Sequence, residues 1–186
     1  LKMESKSVTA NLQNDVTVAG GTVAYAGANT EVVAVNGNGN KLTFTDSYRT
    51  YVKNAGGKFV LNNVNIVRST TSTSTHFYDY NISFTDVELN DVTLDRGINV
   101  DGNVVMNNVS IEQKNVDTYA MFVFVGSDLQ MDRCNITTAD DKGRGIKVTN
   151  EDRKSSTATT SISVKNTSFD TYKKAAILVM SHTATD

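Results

Sequence analysis

Apolar residues in this chain fall two apart, pause for two polar positions, and then resume two apart. Five eight-residue segments carry the pattern without gaps: Phe59–Ile66 (FVLNNVNI), Val87–Leu94 (VELNDVTL), Val104–Ile111 (VVMNNVSI), Leu129–Ile136 (LQMDRCNI) and Ile162–Phe169 (ISVKNTSF). Leu42–Asp46 (LTFTD) resembles the start of a sixth, and Ile82–Asp86 (ISFTD) the start of another that overlaps its successor. Side chains two apart on a strand share a face. Each segment therefore predicts a strand, a two-residue corner and a second strand, with one face buried on both sides of the bend. Asn and Asp tolerate the left-handed backbone that so tight a corner requires. The corner positions are Asn63, Asp91, Asn108, Arg133 and Asn166. Stacked corners would also align their amides into a hydrogen-bonded ladder.

The segments begin at 59, 87, 104, 129 and 162, so they are spaced by 28, 17, 25 and 33 residues. Constant corners joined by loops of variable length predict a solenoid with excursions on one side. Ser69–Thr75 and Glu151–Thr160 are the loop-like tracts. A second strand class lies between the repeats, at Val32–Val35, Ile98–Val100, Met121–Val125, Ile146–Val148 and Ile177–Val179. The predicted fold is all-β: a single-stranded right-handed parallel β-helix of about six or seven coils, forming one domain over residues 1–186. Residues 1–30 repeat poorly and are expected to cap it. The strand-like Ala175–Met180 lies close to the last residue, so the stack is expected to continue or to be covered by a partner.

Composition agrees with strands and turns. There are 20 Asn, many Thr and Val, and no Pro. A net charge of −2 with 20% charged residues gives no electrostatic reason for nucleic acid binding. Apolar runs are of strand length, far short of a bilayer span. The single Cys134 allows no internal disulfide and takes the place of a core Val in sister repeats. The chain begins with Leu and shows no leader peptide, so it is expected to be a piece of a longer protein.

The corner repeats resemble the pectin-lyase-like superfamily of right-handed β-helices over roughly residues 32–180. Gly143–Val148 and Lys173–Val179 look like modules of large surface proteins of gut bacteria and of their phages. The resemblance implies an extracellular, cell-surface or virion setting. It leaves activity open, because fold membership does not give function. Pectate lyases carry an Arg-x-Pro-x-x-Arg element, which a chain without Pro lacks. Polygalacturonases carry Asn-Thr-Asp, Asp-Asp, Gly-His-Gly and Arg-Ile-Lys. Here Asp140-Asp141 and Arg144 to Lys147 are similar to two of these, three residues apart instead of on separate coils, and Gly-His-Gly is missing.

Asp140, Asp141, Arg144 and Lys147 are the weak catalytic candidates, against a plain charged turn. Paired carboxylates near a base suit proton transfer or cation binding. No cofactor is expected; calcium is compatible but not indicated, and no spacing resembles a zinc site. His76, Tyr78, Asp79 and Tyr80 combine aromatic faces with a carboxylate, the usual means of gripping a sugar ring. They are the glycan-binding candidates, against ordinary core and surface strand residues. The expected function is a non-catalytic extracellular module of an adhesin-like surface protein, with polysaccharide or cell-surface glycan as partner. The alternatives are a phage fibre, spike or decoration protein, for which a homotrimer is expected, and a polysaccharide lyase or glycoside hydrolase. No membrane insertion is expected.

Overall fold

The structure is a computed structural model that describes residues 7–19, 22–25, 32–45, 50–54, 57–69, 81–113, 119–138, 144–150, 158–170 and 177–179. These residues form nineteen strands and no helix. In chain order the strands group into layers. β1 (Ser7–Asn11), β2 (Val16–Val18) and β3 (Thr22–Tyr25) make the first; β4 (Val32–Asn36), β5 (Lys41–Phe44) and β6 (Thr50–Asn54) the second. β7 (Lys58–Asn62), β8 (Asn65–Arg68), β9 (Ile82–Asn90), β10 (Thr93–Leu94), β11 (Ile98–Asn107), β12 (Ser110–Gln113) and β13 (Tyr119–Phe124) follow. β14 (Asp128–Asp132), β15 (Asn135–Thr138), β16 (Arg144–Thr149), β17 (Ser161–Lys165), β18 (Ser168–Asp170) and β19 (Ile177–Val179) complete the set.

Every strand pairs in parallel with strands from neighbouring layers, in two sheets. The seven-stranded sheet runs β2, β5, β8, β10, β12, β15, β18. The twelve-stranded sheet holds two ladders. One passes through β1, β4, β7, the second half of β9, the second half of β11, β14 and β17. The other passes through β3, β6, the first halves of β9 and β11, β13, β16 and β19. β9 and β11 belong to both because each bends midway, with Asp86 at φ 53° and Gly102 at φ 80°.

The apolar positions of all three ladders converge on one core. Leu61, Leu89, Met106 and Leu129 enter from the first ladder, Ile66, Leu94 and Ile111 from the seven-stranded sheet, and Phe84, Ile98, Met121 and Ile146 from the third ladder. Cys134 is 3% exposed in the row of Val64, Val92 and Val109, and its thiol donates to the Met106 carbonyl at 3.6 Å. Burial pushes the thiol pKa up, against weaker opposing hydrogen bonds, so it stays protonated and packs as a small apolar group.

The corner between the first ladder and the seven-stranded sheet is left-handed at each repeat: Asn63 (φ 47°), Asp91 (54°), Asn108 (53°), Arg133 (52°) and Asn166 (48°). The preceding residues carry the amide ladder. Asn36 donates its side-chain amide to Asn11, Asn62 to Asn36, Asn90 to Asn62 and Asn107 to Asn90, all at 2.8–3.0 Å. Neutral bonds of this kind contribute about 0.5–1.5 kcal/mol each. The bend from the third ladder back to the first is also left-handed, at Gly57, Asp86, Gly102 and Gly126.

Buried polar side chains stitch the remaining side. Asn81 donates to the Ile98 and Tyr119 carbonyls, Gln113 donates to Asn81 Oδ1, and the Gly97 amide donates to Gln113 Oε1 at 2.6 Å. A β-carbon on Gly97 would lie 2.5 Å from the Ala120 carbonyl, so this turn excludes any side chain.

Three readings of the repeat change. Leu42–Phe44 pairs with Ile66–Arg68 and is the second strand of its layer, so no sixth repeat starts there. Ile82–Thr85 pairs with Thr50–Lys53 in the third ladder, so it begins no overlapping repeat. Val32–Asn36 pairs with Lys58–Asn62 and belongs to the repeat class, not to the second strand class. Within residues 1–30, the expected cap, β1, β2 and β3 pair in register with the next layer as later strands do.

Leu61→Asp or Met106→Asp would bury an unpaired charge at positions 2% and 0% exposed. Circular dichroism should show loss of the cooperative melt; a transition like the parent's would refute the inward assignment. At the corner, Asn63→Gly should leave the melting temperature nearly unchanged. Asn63→Val should lower stability by about 1–2 kcal/mol in urea titration, because a β-branched residue resists left-handed backbone.

Candidate functional site

The outward side chains of the first ladder stand in columns that run up the stack. The central column places Ala34, Val60, Glu88, Val105, Gln130 and Ser163 in register. One flanking column is the amide ladder, continued by Asp132 and Lys165. On the other flank, Asn103 lies in register with Asp128, which meets Ser161. Between these columns lie two open depressions that share Val105 in their linings and are together called the groove, each forming one section of it. One section, of about 610 Å³, is lined by Asn54, Lys58, Asp86, Glu88 and Asn103 among others. The other, of about 370 Å³, is lined by Asn107, Gln130, Asp132, Ser163 and Lys165 among others.

The corners explain why these groups converge. The bend at Asp86 brings its carboxylate back over the sheet, where Oδ1 accepts the Asn103 amide at 2.8 Å. A β-carbon on the neighbouring Gly102 would lie 2.5 Å from that same oxygen. Glu88 is held from two sides, by an ion pair with Lys58 and by the Asn90 amide at 2.9 Å. Burial raises the Glu88 pKa, but the Lys58 and Asn90 hydrogen bonds and the Lys58 charge outweigh it. The net result lies below the ordinary value. A general acid needs the opposite displacement, toward neutral pH. Of the carboxylates in this section, Glu88 is paired with Lys58 and Asp86 holds a backbone amide.

Of the catalytic candidates, Arg144 and Lys147 lie on β16, on the outward face of the third ladder. Arg144 sits 5.3 Å from the centre of the Tyr119 ring, and Lys147 5.6 Å from that of Phe122. Tyr119 and Phe122 meet edge to face at 5.5 Å. Two cations on aromatic faces stabilise this side of the stack. Asp140 and Asp141 lie outside the described residues, as do His76, Tyr78, Asp79 and Tyr80. The corner residues Asn63, Asp91, Asn108, Arg133 and Asn166 line one edge of the first ladder, and Asn166 lines the groove itself. Among the described residues, no group of three or more His, Cys, Asp or Glu is placed to hold a metal ion. The Asp95-Arg96 pair works across layers, Asp95 accepting the Arg68 amide and Arg96 donating to the Arg68 carbonyl.

The groove residues escape a reading of single repeats. They occupy the second and fourth positions of the segments and the residues just before them, which look like ordinary surface. Their proximity comes from stacking. The one signal within the sequence is the set of glycines at 57, 102 and 126, each two or three residues ahead of a repeat.

The lowered Glu88 pKa makes stability depend on pH in a defined sense. Its contribution is fully present above 4.5, the ordinary value, and is lost as pH falls through the lower folded value. Glu88→Gln should therefore melt below the parent at neutral pH, and the difference should shrink as pH drops under 4.5. An unchanged gap across that range, read by calorimetry, would contradict the ion pair. Compared with family models, with curated proteins and with solved structures, the chain has no match.

Proposed function

We propose that the chain is a non-catalytic extracellular module of an adhesin-like surface protein, wound as a single right-handed parallel β-helix of seven coils, that holds an extended glycan. The winding is supported by the fixed order in which the chain visits its three ladders, and by the strong right-handed preference of parallel crossovers. The observation that carries the ligand reading is the outward groove of the first ladder. It is open and lined by many polar groups, and the strands that carry it repeat at about 4.8 Å. That repeat is close to the length of one sugar in an extended polysaccharide.

The chemistry of the groove suits hydroxyl groups. Asn103, Asn107 and Gln130 offer amides that both donate and accept, and Ser163 offers a hydroxyl. Val105 provides a small apolar floor to both sections. Glu88, paired with Lys58 and Asn90 and with its pKa lowered, is unsuited to the general-acid role that glycoside cleavage requires.

A polysaccharide microarray followed by calorimetric titration tests the reading. The protein should bind at least one extended glycan and release no new reducing or unsaturated ends from it. Combined Asn103→Ala and Gln130→Ala should weaken that binding by about tenfold or more, with an unchanged melting temperature. Absence of binding across the array would refute the glycan reading, and release of shortened products would refute the non-catalytic one.

A further inference from the structure

We infer that the groove selects uncharged or amino-bearing glycan chains and rejects polyuronate and sulfated ones. The inference rests on the reading of the groove as a glycan site and adds the substrate class.

The charges along the groove carry it. Asp86 and Glu88 line one section and Asp132 the other, while Asp128 flanks them in register with Asn103. The cations facing the same column are Lys58, Lys165 and Arg133. Lys58 is paired with Glu88, and Arg133 Nε lies 3.3 Å from Asp132 Oδ2. Among the described residues, four carboxylates thus meet three cations, two of which already hold carboxylates. A polyuronate brings a negative charge with every sugar. In the section lined by Lys58, it must lie beside Asp86 and Asp128, or draw Lys58 away and leave Glu88 without its counter-ion. Both courses oppose binding, and like-charge juxtaposition is an effective way to refuse a partner. A neutral chain meets no such opposition, since its hydroxyls need the amides of Asn103, Asn107 and Gln130 and no net charge. An amino sugar gains attraction from Asp86 and Asp128.

The test uses matched-length neutral β-glucan, chitosan and oligogalacturonate fragments in calorimetric titration against the intact chain. The neutral or amino fragment should bind at least about tenfold more tightly than oligogalacturonate at low salt. Added salt should narrow the gap as screening weakens the repulsion. The variant with Asp86→Asn and Asp128→Asn keeps side-chain oxygens that accept from the Asn103 amide and from Gln130. It should bind oligogalacturonate more tightly than the parent does. Equal or tighter binding of oligogalacturonate by the parent would overturn the selectivity while leaving the glycan reading intact. An unchanged oligogalacturonate affinity in the double variant would overturn the assigned cause. Failure of all three fragments to bind, where the array shows some other glycan bound, would overturn the substrate class alone; failure of every glycan would remove both.

Discussion

A chain that turns in two residues, and leaves with its apolar side chains still facing inward, has few backbone conformations available. The left-handed one at Asn63, Asp91, Asn108, Arg133 and Asn166 meets that demand, and the rest of the structure depends on its repetition. Because each corner falls at the same height in its layer, the strands before and after it stay in register with those of neighbouring layers. Register in turn places Leu, Met and Ile over one another in the core and the amides over one another outside. A slip of one residue would exchange the two faces. The corner backbone is itself tied across layers, with Asn63, Asp91, Asn108 and Arg133 each donating its amide to a carbonyl of the following layer.

Much of this was legible in the sequence because the first two strands of a layer are joined by a corner of constant length. The spacing survives in Phe59–Ile66 and its four sisters, so five layers announce themselves. The second layer did not, because its corner is longer. Gly37, Asn38, Gly39 and Asn40 separate β4 from β5, and four residues likewise separate β1 from β2, where two suffice in the later layers. Gly37 is packed so close to Asn63 and Val64 that any β-carbon would overlap them, which is how the extra residues fit. Without a recognisable corner, Val32–Asn36 and Leu42–Phe44 show the same alternation, and alternation alone cannot say which ladder a strand joins. Ile82–Thr85 is ambiguous for the same reason. Its apolar positions match the first ladder as well as the third, and its partner strand Thr50–Lys53 decides between them.

The groove was not legible, for a different reason. Its side chains come from layers whose sequence separations vary with the loops, and each sits at a position where nearly any polar residue would be tolerated. Glu88 and Lys58 are thirty residues apart in the chain and become an ion pair only when Val60 and Glu88 come into register. Solenoid surfaces of this kind separate two tasks. The inward positions hold the stack and are constrained by volume. The outward positions can vary with little effect on folding, so the surface chemistry can change while the scaffold stays.

The amide ladder has a direction. Asn36, Asn62, Asn90 and Asn107 donate toward the start of the chain, and Asn11, Asn36, Asn62 and Asn90 accept from the layer that follows, so the side-chain dipoles of this column point the same way. Aligned dipoles add, and the negative end of this column is the Asn107 carbonyl oxygen. The next residue in line is Asp132, which has no hydrogen to offer that oxygen and brings a further negative charge. Positive partners gather there. Arg133 turns its guanidinium onto Asp132, and Asn166 donates its amide to the same carboxylate. Arginine is an uncommon choice for left-handed backbone, and the electrostatics of the column account for it: the dipoles terminate at a carboxylate, and the corner beside it carries the compensating cation.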